Sequence, residues 1–278
     1  MPKKNRTKAK LQAGGIAYGI SVGPAETTFI DLAGALGFDY VMIDWEHNLF
    51  DPSQIEETIR AADVYGMTSL VRMQLNVEHI SHVLNAGAQG VLIARVNSAA
   101  DVRTILDAAK FYPEGKRTVF FTGRGTNFGM DLAGKSEREL SIVLNHETLI
   151  GCIIEEISGV EKLDEILAFP EIDMIHLGPV DLAHSMGWPA KEKVVAAGDQ
   201  IVAAAVSAGK AMSTTWGARG GTSQQSDMAR VLAQGYRMFV LSPRAVFRAG
   251  GADFLQYARQ AAESSGLPFT PPNTGTEK

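Results

Sequence analysis

The sequence predicts one (β/α)8 barrel, a TIM barrel of the α/β class, and three observations carry that prediction. Short runs rich in Val, Ile and Leu alternate with longer stretches of helical period, the pattern of parallel βαβ units. Eight such strand runs can be counted along the chain. No Pro- or Ser-rich linker divides its 278 residues, a length close to the ~250 residues of a single closed barrel. A doubly wound open sheet is the alternative. No G-x-G-x-x-G turn follows the first strand to support its dinucleotide-binding form, and no P-loop is present.

The elements follow in order. Met1–Lys10 is basic and gives way to a Gly-broken stretch, so residues 1–13 read as a solvated tail ahead of a barrel domain spanning 14–265. The first strand is Gly15–Val22. Tyr40–Glu46, Ser69–Met73 and Gly90–Val96 are continuous apolar runs, as expected of strands buried on both faces. A helix over Ser53–Tyr65 carries Ile55, Ile59 and Val64 on one side. Another over Ala99–Phe111 sets Val102, Ile105, Leu106 and Ala109 at three-to-four spacing. His79 and His82 share a helix face beside Glu78 and read as surface or interface residues. Tyr112–Lys135 reads as a long, Gly-rich, basic loop containing Arg117 and Arg124; loops of that length are usually functional or mobile. Strands over Leu149–Glu155 and Met174–Leu177 flank a helix over Val160–Phe169. Helices over Lys193–Ala208 and Gln225–Gln234 accompany the last strands, Ala211–Thr215 and Met238–Leu241. Gly66, Gly87, Gly209 and Gly235 stand where helices stop, the position that favours left-handed backbone. A last helix over Phe247–Ala262 has an apolar face, and 266–278 reads as a frayed tail.

Composition excludes several classes. Lys and Arg total 26 against 31 Asp and Glu, a net charge of −5. That leaves no cationic surplus to neutralise the phosphates of a nucleic acid. The single cysteine, Cys152, excludes an intramolecular disulfide framework and a Cys-rich zinc site. No run approaches the ~18 apolar residues of a membrane span. The expectation is a soluble cytoplasmic enzyme.

In a barrel the chemistry belongs at the C-terminal ends of the strands. There the sequence places Asp44-Trp45-Glu46-His47, Arg72, Glu155-Glu156 and Gly178-Pro179-Val180-Asp181. Glu155 and Asp181 leave adjacent strands, and two carboxylates with open positions suit a hard divalent cation. Each acid alone reads equally as a cap or a surface ion pair. His47 suits acid–base work near neutral pH, or is simply a loop histidine. Arg72, at the end of a buried strand, needs an anion: a substrate carboxylate or enolate, or else Glu46 or Asp44. The Gly-rich loop from Trp216 to Ser223 reads as an anion seat or a plain turn.

Five segments together resemble a known family. They are Phe38–His47, Leu70-Val71-Arg72, Leu84–Gly90, Glu155 with Gly159–Leu167, and Leu177–Leu182. In order and spacing they resemble the HpcH/HpaI aldolases, metal-dependent class II pyruvate aldolases of the phosphoenolpyruvate/pyruvate barrel superfamily. The resemblance implies that Glu155 and Asp181 ligate Mg²⁺ or Mn²⁺, with Co²⁺ as a third option. It implies reversible cleavage of a 4-hydroxy-2-oxo acid to pyruvate, or a close 2-oxo acid, and an aldehyde through a metal-stabilised enolate. Arg72 would stabilise the developing oxyanion, and His47 would take the proton from the aldol hydroxyl. Backbone groups of Gly178, Pro179 and Val180, with Asp181 and Trp216, would seat the substrate. The resemblance also implies a homo-oligomer, a hexamer or trimer of dimers, that exchanges the last helix between subunits.

Two positions depart from the family pattern. Asn85 stands where the best-known members carry an Asp that pairs with the catalytic His, and Ile153 stands where many carry a substrate-reaching Gln. The Tyr112–Lys135 segment is also longer than the family version. These departures motivate other reactions on the same enolate: oxaloacetate decarboxylation, or a synthase that captures the enolate on another acceptor. A non-catalytic 2-oxo-acid-binding barrel and a metal-free phosphosugar isomerase complete the alternatives.

Overall fold

The computed structural model describes residues 3–216 and 225–268. A short helix, α1 (Arg6–Gln12), leads into β1 (Ala17–Val22), and α2 (Thr27–Leu36) returns the chain to β2 (Tyr40–Asp44). The alternation continues through α3 (Pro52–Val64), β3 (Thr68–Met73), α4 (Val77–Asn85), β4 (Gly90–Ile93) and α5 (Ala99–Ala109). After α6 (Glu137–Glu147) come β5 (Leu149–Ile154), the short helices α7 (Ile157–Glu161) and α8 (Leu163–Leu167), and β6 (Met174–Leu177). Next are α9 (Pro179–Ser185), α10 (Lys191–Ser207), β7 (Ala211–Trp216), α11 (Gln225–Ala233), β8 (Tyr236–Leu241) and α12 (Pro243–Ser264).

The strands pair in parallel in sequence order, and β8 closes on β1. The expected barrel is therefore the observed one. Its strands are buried on both faces because one face meets the helices and the other fills the barrel. Val41, Ile43, Val71 and Val91 belong to the layer under the helices, whereas Tyr40, Met42, Leu70, Leu92 and Met174 belong to the cluster inside. Helix ends follow the glycines, with φ of +65° at Gly66 and +106° at Gly87, a conformation that costs little without a Cβ.

Three expectations need correction. The segment read as a solvated tail contains α1, which packs on the floor of the barrel. Asn5 is fully buried; its amide donates to the carbonyls of Gln89 and Glu147, and its Oδ1 caps the helix at Lys8. Lys8 reaches the Thr148 carbonyl and the Asp173 carboxylate, each at 3.0 Å. A basic stretch thus folds because its donors share acceptors at the strand starts that also bind barrel groups.

The Tyr112–Lys135 segment is ordered by a small second core of Phe111, Phe121 and Leu140. A 3₁₀ stretch over Arg124–Leu132 breaks at Asn127, Phe128 and Gly129, all at positive φ. The helix expected over Val160–Phe169 is two helices, parted at Lys162. There the chain crosses close over the rim, and a Cβ at Gly159 would lie 2.8 Å from the Val96 carbonyl.

Candidate active site

The C-terminal ends of β2, β3, β5 and β6 bring the expected groups to one mouth. β2 stops at Asp44, two residues earlier than expected, so that Trp45, Glu46 and His47 turn over the rim. Arg72 leaves the neighbouring strand and meets Asp44 through a two-pronged pair, Nε to Oδ1 at 2.9 Å and Nη2 to Oδ2 at 2.7 Å. Its Nε also lies 3.5 Å from Glu46. Burial works against the guanidinium charge, but the bonds to Asp44 and the charges of Asp44, Glu46 and Glu155 outweigh it and hold the pKa above its ordinary value. Arg72 is thus a fixed cation with Nη1 unengaged among the described residues. The ion-pair reading of Arg72 and the oxyanion reading are compatible.

Glu155 stands at the end of β5 and is 6% exposed. Its Oε1 accepts the Arg95 backbone N–H at 3.0 Å. Burial, with the nearby charges of Glu46 and Asp181, pushes its carboxyl up to about 7. Glu46 is raised as well, first by burial, against the opposing effect of Arg72 and His47. Two partly buried carboxyls that resist ionisation, with Asp181 beside them, describe a place short of positive charge.

A cation is what such a place lacks. Among the described residues no three His, Cys, Asp or Glu side chains gather into a metal-holding cluster. Glu155 and Asp181 lie close enough to feel each other's charge, and two carboxylates suit an ion that keeps several waters. Gly178 makes room for it: a Cβ there would stand 2.5 Å from Glu155 Oε2. The residues present fit a divalent cation.

Asp181 lies in the first turn of α9. The carboxylate seat expected of Gly178 to Val180 narrows here, because Pro179 has no N–H and the Gly178 N–H donates to Ile154 at 3.3 Å. The N–H groups of Val180 and Asp181 remain, which the first turn leaves without intrahelical acceptors.

Comparison with known proteins fits this geometry. Residues 18–240 match the model of the HpcH/HpaI aldolase/citrate lyase family. The chain belongs to that family. It is 32% identical over 187 residues to the hydroxypyruvate/pyruvate aldolase of Sagittula stellata, covering 67% of this chain and 72% of that protein. It is 27% identical over 187 residues to a 2-keto-3-deoxy-L-rhamnonate aldolase of Escherichia coli, covering 66% of this chain and 68% of that one. Among solved structures, the HpcH/HpaI aldolase of Desulfitobacterium hafniense matches with a TM-score of 0.80 at 26% identity, covering 95% of this chain and 98% of that one. This HpcH/HpaI member is accordingly a lyase of the aldolase type.

Some expected residues of this aldolase lie elsewhere. Asn85 ends α4, at the strand-start end of the barrel, and its Oδ1 accepts Arg117 Nη2 at 2.7 Å. Within one chain it therefore does not orient His47. Glu46 Oε2 lies 3.7 Å from His47 Nε2, and the His47 side chain is 58% exposed. Its adjacency in the sequence was visible, but which strand-end acid would face the ring was not. Trp216 closes β7 against Leu241; its side chain and the loop 217–223 lie outside the described residues. Ile153 points into the barrel cluster and is 1% exposed.

Sequence reasoning also missed His79, whose ring stacks on Trp45 at 4.4 Å and braces the turn that carries His47. His176, inside the barrel, bonds Ser213 and is held neutral, its pKa driven down to about 3 by burial and the Arg72 charge.

Proposed function

We propose that this chain cleaves a 4-hydroxy-2-oxo acid to pyruvate, or a close analogue, and an aldehyde, with Glu155 and Asp181 holding Mg²⁺ or Mn²⁺. The carrying observation is Glu155: a buried carboxylate whose pKa is pushed up to about 7 beside Glu46 and Asp181, with Gly178 leaving room for its second oxygen. A divalent cation bound there would supply Lewis acidity to the 2-oxo group and favour the enolate.

The chain's own residues perform the rest. Arg72, locked by Asp44, presents its free Nη1 to the oxygen on which negative charge develops. The N–H groups of Val180 and Asp181 receive the substrate carboxylate. His47, beside Glu46, takes the proton of the 4-hydroxyl as the C3–C4 bond breaks. The bonding pair stays on the three-carbon fragment, which takes a proton at C3 to become the methyl group of pyruvate. The hydroxyl-bearing carbon leaves as the aldehyde.

Asn85 favours a second reading. Held by Arg117, it lends no carboxylate to His47 within the chain, and oxaloacetate decarboxylation on the same enolate needs no base for a hydroxyl.

We infer further that the chain forms a homo-oligomer, such as a hexamer, by exchanging α12. Pro243 is the one buried residue among those described in this helix, while Phe247, Phe254 and Tyr257 are exposed. A groove of about 300 Å³ lined by Tyr18, Leu36, Phe38, Phe239 and Leu241 lies over β8 and β1, where an eighth barrel helix packs. A monomer by light scattering would refute the exchange. No helix of the described residues is long and apolar enough to cross a membrane. A cytoplasmic location is part of the same reading, supported by Cys152 being free and buried.

The test is deuterium exchange of the pyruvate methyl group, followed by NMR with and without Mg²⁺ or Mn²⁺. Metal-dependent exchange that disappears in Glu155→Ala and Asp181→Ala is expected. Full exchange without metal would overturn the reading.

A further inference from the structure

The floor of the barrel, at the opposite end from the candidate active site, holds a cavity of about 370 Å³. Lys8 and Leu11 of α1 line it together with Asp173, Lys210 and Arg237, which stand at or next to the starts of β6, β7 and β8. Ile172 and Val206 add apolar surface. The lining carries three positive charges, Lys8, Lys210 and Arg237, against the single negative charge of Asp173. A chain of net charge −5 thus keeps an excess of two cations in one recess.

Asp173 is already engaged, accepting Lys8 Nζ at 3.0 Å and the Ile150 N–H at 2.8 Å. Among the described residues, Lys210 and Arg237 hydrogen-bond backbone carbonyls only. Lys210 Nζ donates to the Phe169 carbonyl at 2.8 Å and lies 3.4 Å from that of Pro170. Burial pulls its pKa below the ordinary value, although the charges of Asp173 and the nearby Glu171 work against that. Arg237 gives Nη1 to the carbonyls of Leu232 and Tyr236, which leaves Nε and Nη2 without an acceptor among the described residues. Its place in the sheet is irregular. Met212 pairs with Tyr236 and Ser213 with Met238, so Arg237 is the extra residue of a bulge. Bulges are rare between parallel strands and re-aim a side chain; here that side chain lines the cavity.

We propose that this recess is a second ligand site, which takes a phosphoryl dianion, either free or as the head of a phosphomonoester. Two cations in excess match two negative charges, the lysine as a point charge and the arginine through its planar fork. An anion beside Lys210 also offsets the cost that burial places on its charge. The volume leaves room beyond the phosphoryl group for an organic body, flanked by Leu11, Ile172 and Val206. Lys8 and Leu11 belong to α1, and Lys210 and Arg237 to the strand starts, so the ligand clamps α1 to the barrel floor. The site takes no part in the reaction proposed above and does not depend on it.

The experiment is calorimetry on the full chain, with and without Mg²⁺, using inorganic phosphate, ribose 5-phosphate, ribose and succinate. Phosphate and ribose 5-phosphate should bind equally well with and without the metal, and ribose should not bind. Tighter binding of ribose 5-phosphate identifies an ester as the ligand, and equal binding identifies free phosphate. Lys210→Gln and Arg237→Gln should each weaken binding about tenfold or more, and Arg237→Lys should restore part of the loss. The tighter phosphate should raise the Tm of wild type and leave that of Arg237→Gln unmoved. Circular dichroism checks folding, and where Lys210→Gln does not fold, the two Arg237 variants decide. No binding of either phosphate, tighter binding of succinate, or affinity unchanged in the Gln variants would overturn the inference. Binding that requires Mg²⁺, or that falls in Arg72→Gln but not in Arg237→Gln, would put the anion at the mouth and overturn it as well.

Discussion

Replacing Glu155 by Gln should stabilise the metal-free protein at alkaline pH. The Glu155 carboxyl is raised from 4.5 to about 7, with burial as the first cause and Glu46 and Asp181 adding to it. The folded state therefore holds the proton more tightly than the unfolded chain. This group's contribution to stability is full below about 4.5 and is lost as pH rises through about 7. At ~1.4 kcal/mol per pH unit, the full difference would be ~3 kcal/mol. The group sits at a mouth open to solvent, so ~2 kcal/mol is the better figure. For a chain of this size that corresponds to roughly 4–8 °C in Tm. Gln keeps the shape and an oxygen for the Arg95 N–H but carries no charge. Melting curves of metal-free wild type and Glu155→Gln from pH 5 to pH 8 should therefore lie close together at the acid end and separate towards pH 8, with the variant the more stable. Mn²⁺ should raise the wild-type Tm and leave the variant unmoved. Because binding requires the ionised carboxylate, Mn²⁺ affinity of wild type should fall about tenfold per unit below pH 7. A variant less stable than wild type at pH 8, by a margin independent of pH, would refute the claim that Glu155 is a strained anion awaiting a cation.

Other predictions rest on single contacts. Gly178→Ala should displace the Glu155 carboxylate, because the added Cβ would stand 2.5 Å from Oε2; calorimetry should show Mn²⁺ binding weakened by tenfold or more, and unchanged affinity would show that the two residues do not share the site. Arg72→Lys keeps the charge but not the two-pronged pair with Asp44, so kcat should drop by roughly 10²-fold with a smaller change in KM. Asn5→Ala leaves the Glu147 carbonyl without its donor, removes the second donor of the Gln89 carbonyl and uncaps α1. Denaturant unfolding should show a loss of about 2 kcal/mol, and a value within 0.5 kcal/mol of wild type, roughly the scatter of a neutral surface change, would mean that the barrel floor does not depend on α1.

The barrel was legible because its signals are local. Strands such as Tyr40–Asp44 and Leu149–Ile154 announce themselves by continuous burial-type residues, and Gly66 and Gly87 mark helix ends by a conformation one residue decides. The candidate site was legible for a related reason. Once a parallel barrel is inferred, its strand ends must share a rim, so Arg72, Glu155 and Asp181 could be named before any contact was known. What failed depended on distant partners. Met1–Lys10 looks like solvated charge until Lys8 is seen reaching the Thr148 carbonyl and the Asp173 carboxylate. The Tyr112–Lys135 segment lacks period, yet Phe121 finds Phe111 and Leu140 and orders it. Asn85 was matched to His47 by family pattern alone; within one chain α4 ends on the opposite side of the barrel, so a pairing of the two would have to cross between subunits.

The sequence by itself determined the fold class, the rim and the residue types on it, because periodicity and turn chemistry are properties of neighbours along the chain. Only the tertiary structure decided how those residues act on one another. Asp44 engages Arg72 rather than Glu155 or Asp181, Glu46 stands beside His47, and Gly178 yields its side-chain space to Glu155. The physical reason is the same in each case: charge, desolvation and steric room are set by groups that meet only when the barrel closes.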